Sequence, residues 1–88
     1  MNHHELAKTV CSAQYKAGEL EIKATLFAHT EGLQQNYGIL LEQQGERVTC
    51  ELGSDRGAAS ALFFDVVYGG VTTCTLNDVV QDRLGTLF

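Results

Sequence analysis

Hydrophobic and polar residues alternate from Glu19 to His29. The apolar members of this row are Leu20, Ile22, Ala24, Leu26 and Ala28. A period of two puts every second side chain on the same face of a β-strand. One apolar face and one mostly polar face are typical of an antiparallel sheet that is covered on a single side.

Two later segments extend this sheet. Residues 37–43 predict a strand with apolar side chains on both faces, because Ile39, Leu40 and Leu41 are consecutive. Residues 47–52 alternate again, and Gly45 allows a tight turn between the two strands. Together these segments predict an antiparallel β-meander.

The segment from Leu6 to Tyr15 is open to two interpretations. Leu6 and Val10 have the spacing of a helix, whereas Val10 and Tyr15, followed by a Lys-Ala-Gly-Glu turn, suit a strand that enters a hairpin. We favour the strand, which would be the fourth of the sheet.

Residues 58–70 predict a helix that is apolar around most of its circumference. Apolar residues recur every four positions in three rows, which are Ala58, Leu62 and Val66; Ala59, Phe63 and Val67; and Phe64 and Tyr68. We expect such a helix to be buried on more than one side. Ser54 or Asp55 can cap its start, and Gly69-Gly70 ends it.

A second helix is predicted from Thr75 onwards. The run Thr75-Leu76-Asn77-Asp78 is similar to a capping box, with Asp in place of Glu. Spacings of three and four then put Leu76, Val79, Val80 and Leu84 on one apolar face.

Because the strands precede the helices, we predict one α+β domain over residues 1–88. It is an antiparallel β-meander of three to four strands followed by two helices packed on one face. The reverse face would be exposed, with Thr25, Phe27, His29, Thr49 and one row of the 37–43 strand on it. A partner or ligand can dock on such a face.

Charge and size narrow the classes of partner. The 88-residue chain has a net charge of −5, and no basic cluster is present to neutralise phosphates, so we expect no nucleic-acid binding. Eight of the acids follow residue 30 and could meet a basic protein partner, although mild acidity also favours solubility. A domain this small often gains stability by self-association, which favours a homodimer.

Cysteine usage and the N-terminus indicate the compartment. The three cysteines are widely separated, which suits reduced thiols better than a disulfide framework. The chain has no apolar run of signal-peptide length, and no apolar stretch approaches the ~20 residues that cross a bilayer. We therefore expect a cytoplasmic protein that does not bind membranes.

No metal, cofactor or catalytic site is indicated. Structural zinc usually takes ligands in close pairs, whereas Cys11, Cys50 and Cys74 are far apart and His3 and His4 are adjacent. A Cys–His pair that involves His29 has no local support either, because the partners of a nucleophile are set by the fold.

Three residues remain as catalytic candidates for a small enzyme. Asp65 interrupts the apolar helix, Asp78 lies four residues before Asp82 on the second helix, and Cys74 comes directly before that helix. A solvated position on a helix explains the presence of the aspartates, and burial explains the presence of the thiol, at least as well as a catalytic role does. We therefore do not predict an enzyme.

Two short motifs carry a resemblance to a known family. They are Tyr37-Gly38-Ile39 at the start of a strand and the run from Leu76 to Leu84, which reads LNDVVQDRL. With the strand, turn and helix between them, residues 20–85 resemble a family of short uncharacterised proteins from gut Firmicutes. The resemblance implies a bacterial cytoplasmic protein and transfers no functional residue.

The sequence therefore leads to a functional hypothesis and two alternatives. The first is a non-enzymatic interaction domain that forms a homodimer through the sheet face or edge, with Phe27, His29, Tyr37 and Ile39 as contact residues. The first alternative is an acidic regulator or inhibitor of a basic protein. The second is a small enzyme that uses Asp65, Asp78 or Cys74.

Overall fold

The structure, a computed structural model, describes residues 8–85 and the side chains of residues 8–82. Within this range, four antiparallel strands form a sheet in the order β1-β2-β3-β4, and two helices follow. The elements are β1 (Lys8–Ala17), β2 (Leu20–Glu31), β3 (Gln34–Gln43), β4 (Glu46–Gly53), α1 (Arg56–Gly69) and α2 (Leu76–Gly85). The predicted α+β meander is confirmed.

The ambiguous N-terminal segment is a strand from Lys8 onwards, because β1 pairs with β2 along most of its length. The predictions that involve His3, His4 and Leu6, and the side chain of Leu84, lie outside the described part of the chain.

The turn between β3 and β4 has the predicted hairpin geometry. Gln44 and Gly45 both have positive φ, 42° and 85° respectively. Left-handed backbone at both central residues gives a two-residue turn whose twist matches that of the flanking strands. Gly45 adopts this conformation without a steric cost, which explains its position at the turn.

The core lies between the sheet and the two helices. Its buried members include Ile22, Ala24, Leu26 and Ala28 of β2, Tyr37, Ile39 and Leu41 of β3, Ala59, Leu62, Phe63 and Val66 of α1, and Leu76 and Val80 of α2. The helix α1 packs mainly on β2 and β3, and α2 packs on β4. The predicted packing of the alternating strand against the apolar helix is confirmed. We call the helix-covered side of the sheet the covered face and the reverse side the open face.

Both ends of α1 are capped as the sequence predicts. The Asp55 carboxylate accepts a hydrogen bond from the Ala58 backbone N–H at 3.1 Å. At the other end, Gly70 takes the left-handed conformation (φ 65°), and its N–H points back to the carbonyls of Val66 and Val67. Neither described helix is long and apolar enough to span a membrane.

Polar contacts hold the connection between the helices against the sheet. The Tyr15 hydroxyl of β1 donates to the Val71 carbonyl at 2.6 Å, and burial raises the pKa of Tyr15 to about 12. At the other side of the sheet, the Thr73 hydroxyl donates to Glu46 Oε1 at 2.8 Å, and the Thr73 N–H donates to Gln43 Oε1 at 3.3 Å. These contacts fix the layer of helices at both edges of the sheet.

Burial of α1 differs from the prediction. Its inner side is in the core, but Phe64 is 51% exposed and Tyr68 is 83% exposed. We expected burial on more than one side because most of the circumference is apolar. That expectation is wrong for the described chain, because the sheet covers only the inner side of α1.

Candidate interaction surfaces

The open face of the sheet is a mixed polar and apolar surface. Ser12, Thr25, Leu40 and Thr49 lie opposite one another across the four strands. A shallow concavity of about 480 Å³ includes Thr9, Thr25, Phe27, Leu40 and Thr49. Threonine is β-branched, which suits a strand, and its hydroxyl group can hydrogen-bond to water. This face is therefore stable in water without a partner.

Phe27 packs within the open face rather than projecting from it. It is directly opposite Gly38 on the neighbouring strand. A Cβ atom at Gly38 would lie 2.5 Å from Phe27 Cζ and 3.1 Å from the Cys50 carbonyl oxygen. The ring therefore occupies the space above the glycine, an arrangement that shields both residues from water.

Charged side chains border the open face at both ends. Arg47 contacts Glu42 at 3.4 Å between Nε and Oε2, and His29 contacts Glu51 at 3.0 Å between Nε2 and Oε1. The His29 ring centroid is 6.0 Å from that of Phe27. Partners within the chain thus pair His29 and Arg47 on this face.

A second surface lies on the outer side of α1. Gly57, Ala61, Phe64 and Tyr68 are all exposed, and their spacing of four, three and four residues puts them in one line along the helix. We call these four residues the outer row. The rings of Phe64 and Tyr68 are stacked, with centroids 6.1 Å apart and an interplanar angle of 20°.

The structure separates the four predicted contact residues. Phe27 and His29 lie on the open face, as expected, and are half-buried. Tyr37 and Ile39 lie on the covered face, where they are 7% and 0% exposed. Their assignment to an exposed contact surface is therefore wrong. The reason is the parity of the strand, because Gly38 and Leu40 are the residues of β3 that face outward opposite Phe27 and Thr25.

The candidate catalytic residues are not brought into a common pocket. Asp65 is half-buried on α1, Asp78 is exposed on α2, and Cys74 is exposed before α2. None of the three lines the concavity on the open face or a smaller one, of about 280 Å³, at the β1–β2 end of the sheet. Among the described residues, no group of three or more His, Cys, Asp or Glu side chains is placed to hold a metal ion.

Cys50 and His29 lie on opposite faces of the sheet. The Cys50 thiol faces α2 and donates to Asn77 Oδ1 at 3.4 Å, whereas His29 is on the open face. Burial, assisted by the negative charge of Glu51, raises the pKa of the Cys50 thiol. A raised pKa disfavours the nucleophilic thiolate, so this thiol is suited to packing.

The acids after residue 30 are spread over several elements. Contacts within the chain join Glu31 to Asn36, Glu42 to Arg47, Glu46 to Thr73, Glu51 to His29, and Asp55 to the start of α1. Asp78 and Asp82 are exposed four residues apart on α2. This distribution gives little support to a broad acidic docking surface.

The outer row is the surface that the sequence prediction missed. Phe64 and Tyr68 formed one of the three apolar rows of the predicted helix, but Gly57 and Ala61 were not joined to them. Plotting residues 57–68 at 100° per residue would have placed all four on one line. It would not have shown that this line is the exposed one.

No protein-family model, curated protein or solved structure matches this chain. The resemblance to short proteins of gut Firmicutes therefore stays a prediction, and functional inference depends on the surfaces described above.

Proposed function

We propose that the protein is a small, non-catalytic interaction domain that acts as a homodimer in the bacterial cytoplasm. One observation carries the proposal, which is the exposure of Phe64 and Tyr68 on the outer row of α1. Large aromatic side chains that cluster on a surface are the usual anchors of protein–protein contacts. Water is a poor environment for this helix face, and a partner would cover it.

The outer row supports a contact better than the open face does. Phe27 already packs over Gly38, and two charged pairs, His29 with Glu51 and Arg47 with Glu42, are formed on the open face. The outer row has no charged member. Its two aromatic rings stack on each other, and the Phe64 ring also meets the Phe63 ring edge-on at 5.9 Å. Because the rest of the described chain covers these two side chains only in part, their apolar area is available to a second molecule.

The cytoplasmic assignment is part of the proposal. Cys11, Cys50 and Cys74 are all free thiols. Unpaired thiols, one of them exposed at Cys74, are usual in a reducing compartment and unusual in an oxidising one.

Sedimentation equilibrium over about 1 μM to about 1 mM tests the proposal, because this range spans weak and moderately tight dimers. We expect the wild type to change from monomer to dimer and the double variant Phe64→Ser/Tyr68→Ser to stay monomeric. The matched control is Leu33→Ser, which removes a still more exposed apolar side chain from the β2–β3 turn. It should dimerise as the wild type does.

Two outcomes would overturn the proposal. A wild type that is monomeric at the highest concentration would exclude the homodimer. A double variant that still dimerises, together with loss of the dimer in Leu40→Thr, would move the contact to the open face. Circular dichroism on each variant confirms that the fold is retained.

A further inference from the structure

The outer row has a large half and a small half. Phe64 and Tyr68 are near the C-terminal end of α1, and Gly57 and Ala61 are near its N-terminal end. The row from Gly57 to Tyr68 is about 16 Å long at 1.5 Å per residue. A bulky end and a hollow end on one surface form a shape that can be complementary to itself.

We infer that two copies pack α1 against α1 in antiparallel orientation about a two-fold axis. This inference rests on the proposed homodimer. Tyr68 of each copy then lies over Gly57 of the partner subunit, and Phe64 lies over Ala61 of the partner subunit. The axis passes between positions 61 and 64, so both aromatic pairs are buried by the same contact.

Size complementarity favours this orientation over a parallel one. In a parallel pair, Tyr68 would meet Tyr68 of the partner subunit, and Gly57 would meet the partner subunit's Gly57. The aromatic ends would hold the helices apart, and a void would remain at the glycine end. Voids and overpacking both weaken a contact, so the parallel arrangement is the poorer fit.

Charge complementarity points the same way. The N-terminal end of a helix carries partial positive charge and the C-terminal end partial negative charge. The exposed Arg56 is at the N-terminal end of α1, and the last turn of α1 has no basic residue. Antiparallel packing brings Arg56 close to the C-terminal end of the partner subunit's α1, where a cation is favourable. Parallel packing would bring the two Arg56 side chains together.

The contact is small, so the dimer should be weak and sensitive to salt. One face of a 14-residue helix is about 21 Å long and about 10 Å wide, which is less than the area of a standard stable interface. We expect dissociation at about 0.1–1 mM, weaker than a standard-sized interface would give. Because each copy has a net charge of −5, added salt should tighten the dimer by screening their repulsion.

Crosslinking between introduced cysteines tests the orientation. The background is the full chain with Cys11→Ser, Cys50→Ser and Cys74→Ser, and it carries either Gly57→Cys or Tyr68→Cys. A Cβ at Gly57 would meet only Asp55 Oδ1, at an ordinary 3.5 Å, so the substitution is tolerated. The reagent is a bismaleimide too short to span the about 16 Å between these positions along the helix.

The antiparallel arrangement predicts a crosslinked dimer when the two variants are mixed and little product from either one alone. A third variant, Ala61→Cys, keeps both aromatic residues and should crosslink to itself, because position 61 is close to the axis. Sedimentation of the same samples reports the dimer independently of the crosslink. The background without an introduced cysteine should sediment as the wild type does and give no product.

Three results would overturn the inference. Self-crosslinking of Gly57→Cys and of Tyr68→Cys would indicate parallel helices. Dimers by sedimentation without any crosslink, at position 61 included, would place the contact away from the outer row. Both of these results leave the homodimer in place, whereas monomers throughout would remove the proposed function as well.

Discussion

The open face of the sheet and the outer row of α1 are both exposed, and both contain aromatic residues. Phe27 on the open face covers Gly38, and its neighbours are threonines and paired charges. Phe64 and Tyr68 on α1 contact each other and are 51% and 83% exposed. Within the described residues, the aromatic ring of the first surface is packed against the sheet, whereas those of the second are largely exposed.

From this difference we infer that exposure of particular side chains is a stronger functional signal than exposure of a whole face. A sheet face of threonines and ion pairs costs little when it is in water. Two stacked aromatic rings on a helix leave apolar area that the described part of the chain does not bury. We therefore propose α1 as the contact surface, although the sequence alone directed attention to the sheet.

The largest expected effect is a difference in stability between variants of two neighbouring phenylalanines on α1. Phe63 is 3% exposed in the core and Phe64 is 51% exposed on the outer row. Phe63→Ala should lower the free energy of unfolding by about 3–5 kcal/mol through lost burial and a cavity. Phe64→Ala should lower it by about 1 kcal/mol or less when the protein is dilute enough to be monomeric.

Urea denaturation at low protein concentration measures both values. Equal losses for the two variants would mean that Phe64 is part of the core of the monomer. The Phe64 side chain would then be stabilised within the monomer, and the outer row would not be a surface that needs a partner.

A smaller effect is expected from the fit of Phe27 over Gly38 on the open face. Gly38→Ala should cost about 1–3 kcal/mol, because the new Cβ displaces the ring and crowds the Cys50 carbonyl. In a Phe27→Ala background the same substitution should cost less, since the ring is gone. A double-mutant cycle with no coupling would contradict the internal packing that we assign to this face.

The smallest expected change in stability comes from the hydrogen bond between Tyr15 of the sheet and the segment that connects the two helices. Tyr15→Phe removes the hydrogen bond to the Val71 carbonyl and should cost about 0.5–1.5 kcal/mol near neutral pH. The raised pKa of Tyr15, about 12 against 10 for an ordinary tyrosine, adds a pH dependence. Above pH 10 the unfolded chain loses this proton while the folded chain keeps it, so stability falls until the folded pKa is passed.

Thermal unfolding between pH 9 and about pH 12 checks this prediction by comparison of the two proteins. The alkaline loss of stability should be shallower in Tyr15→Phe than in the wild type. Identical slopes would show that Tyr15 is not the group responsible for the alkaline loss of stability.

The sequence was sufficient for the fold where its pattern was unambiguous. Strict alternation in β2 and the glycine turn before β4 determined the meander, because strand period and turn geometry are local properties. The parity of β3 was not determined, because Ile39, Leu40 and Leu41 put apolar residues on both faces. This is why Tyr37 and Ile39 were assigned to the wrong side of the sheet.

The choice of the proposed contact surface depends on information that is not local in the sequence. An all-apolar helix pattern does not say which side faces the sheet, so the exposed row of α1 could not be chosen from spacing alone. The choice follows from tertiary packing, since a sheet on one side covers Leu62, Phe63 and Val66 and leaves the opposite row in water.

Concentration-dependent NMR of backbone amides tests the central claim most directly. On dilution of the wild type through its dissociation range, we predict that the amide signals of Gly57, Ala61, Phe64 and Tyr68 shift while those of Thr25 on the open face stay constant. Shifts that are confined to the open face, with the outer row unchanged, would contradict the assignment of the contact to α1.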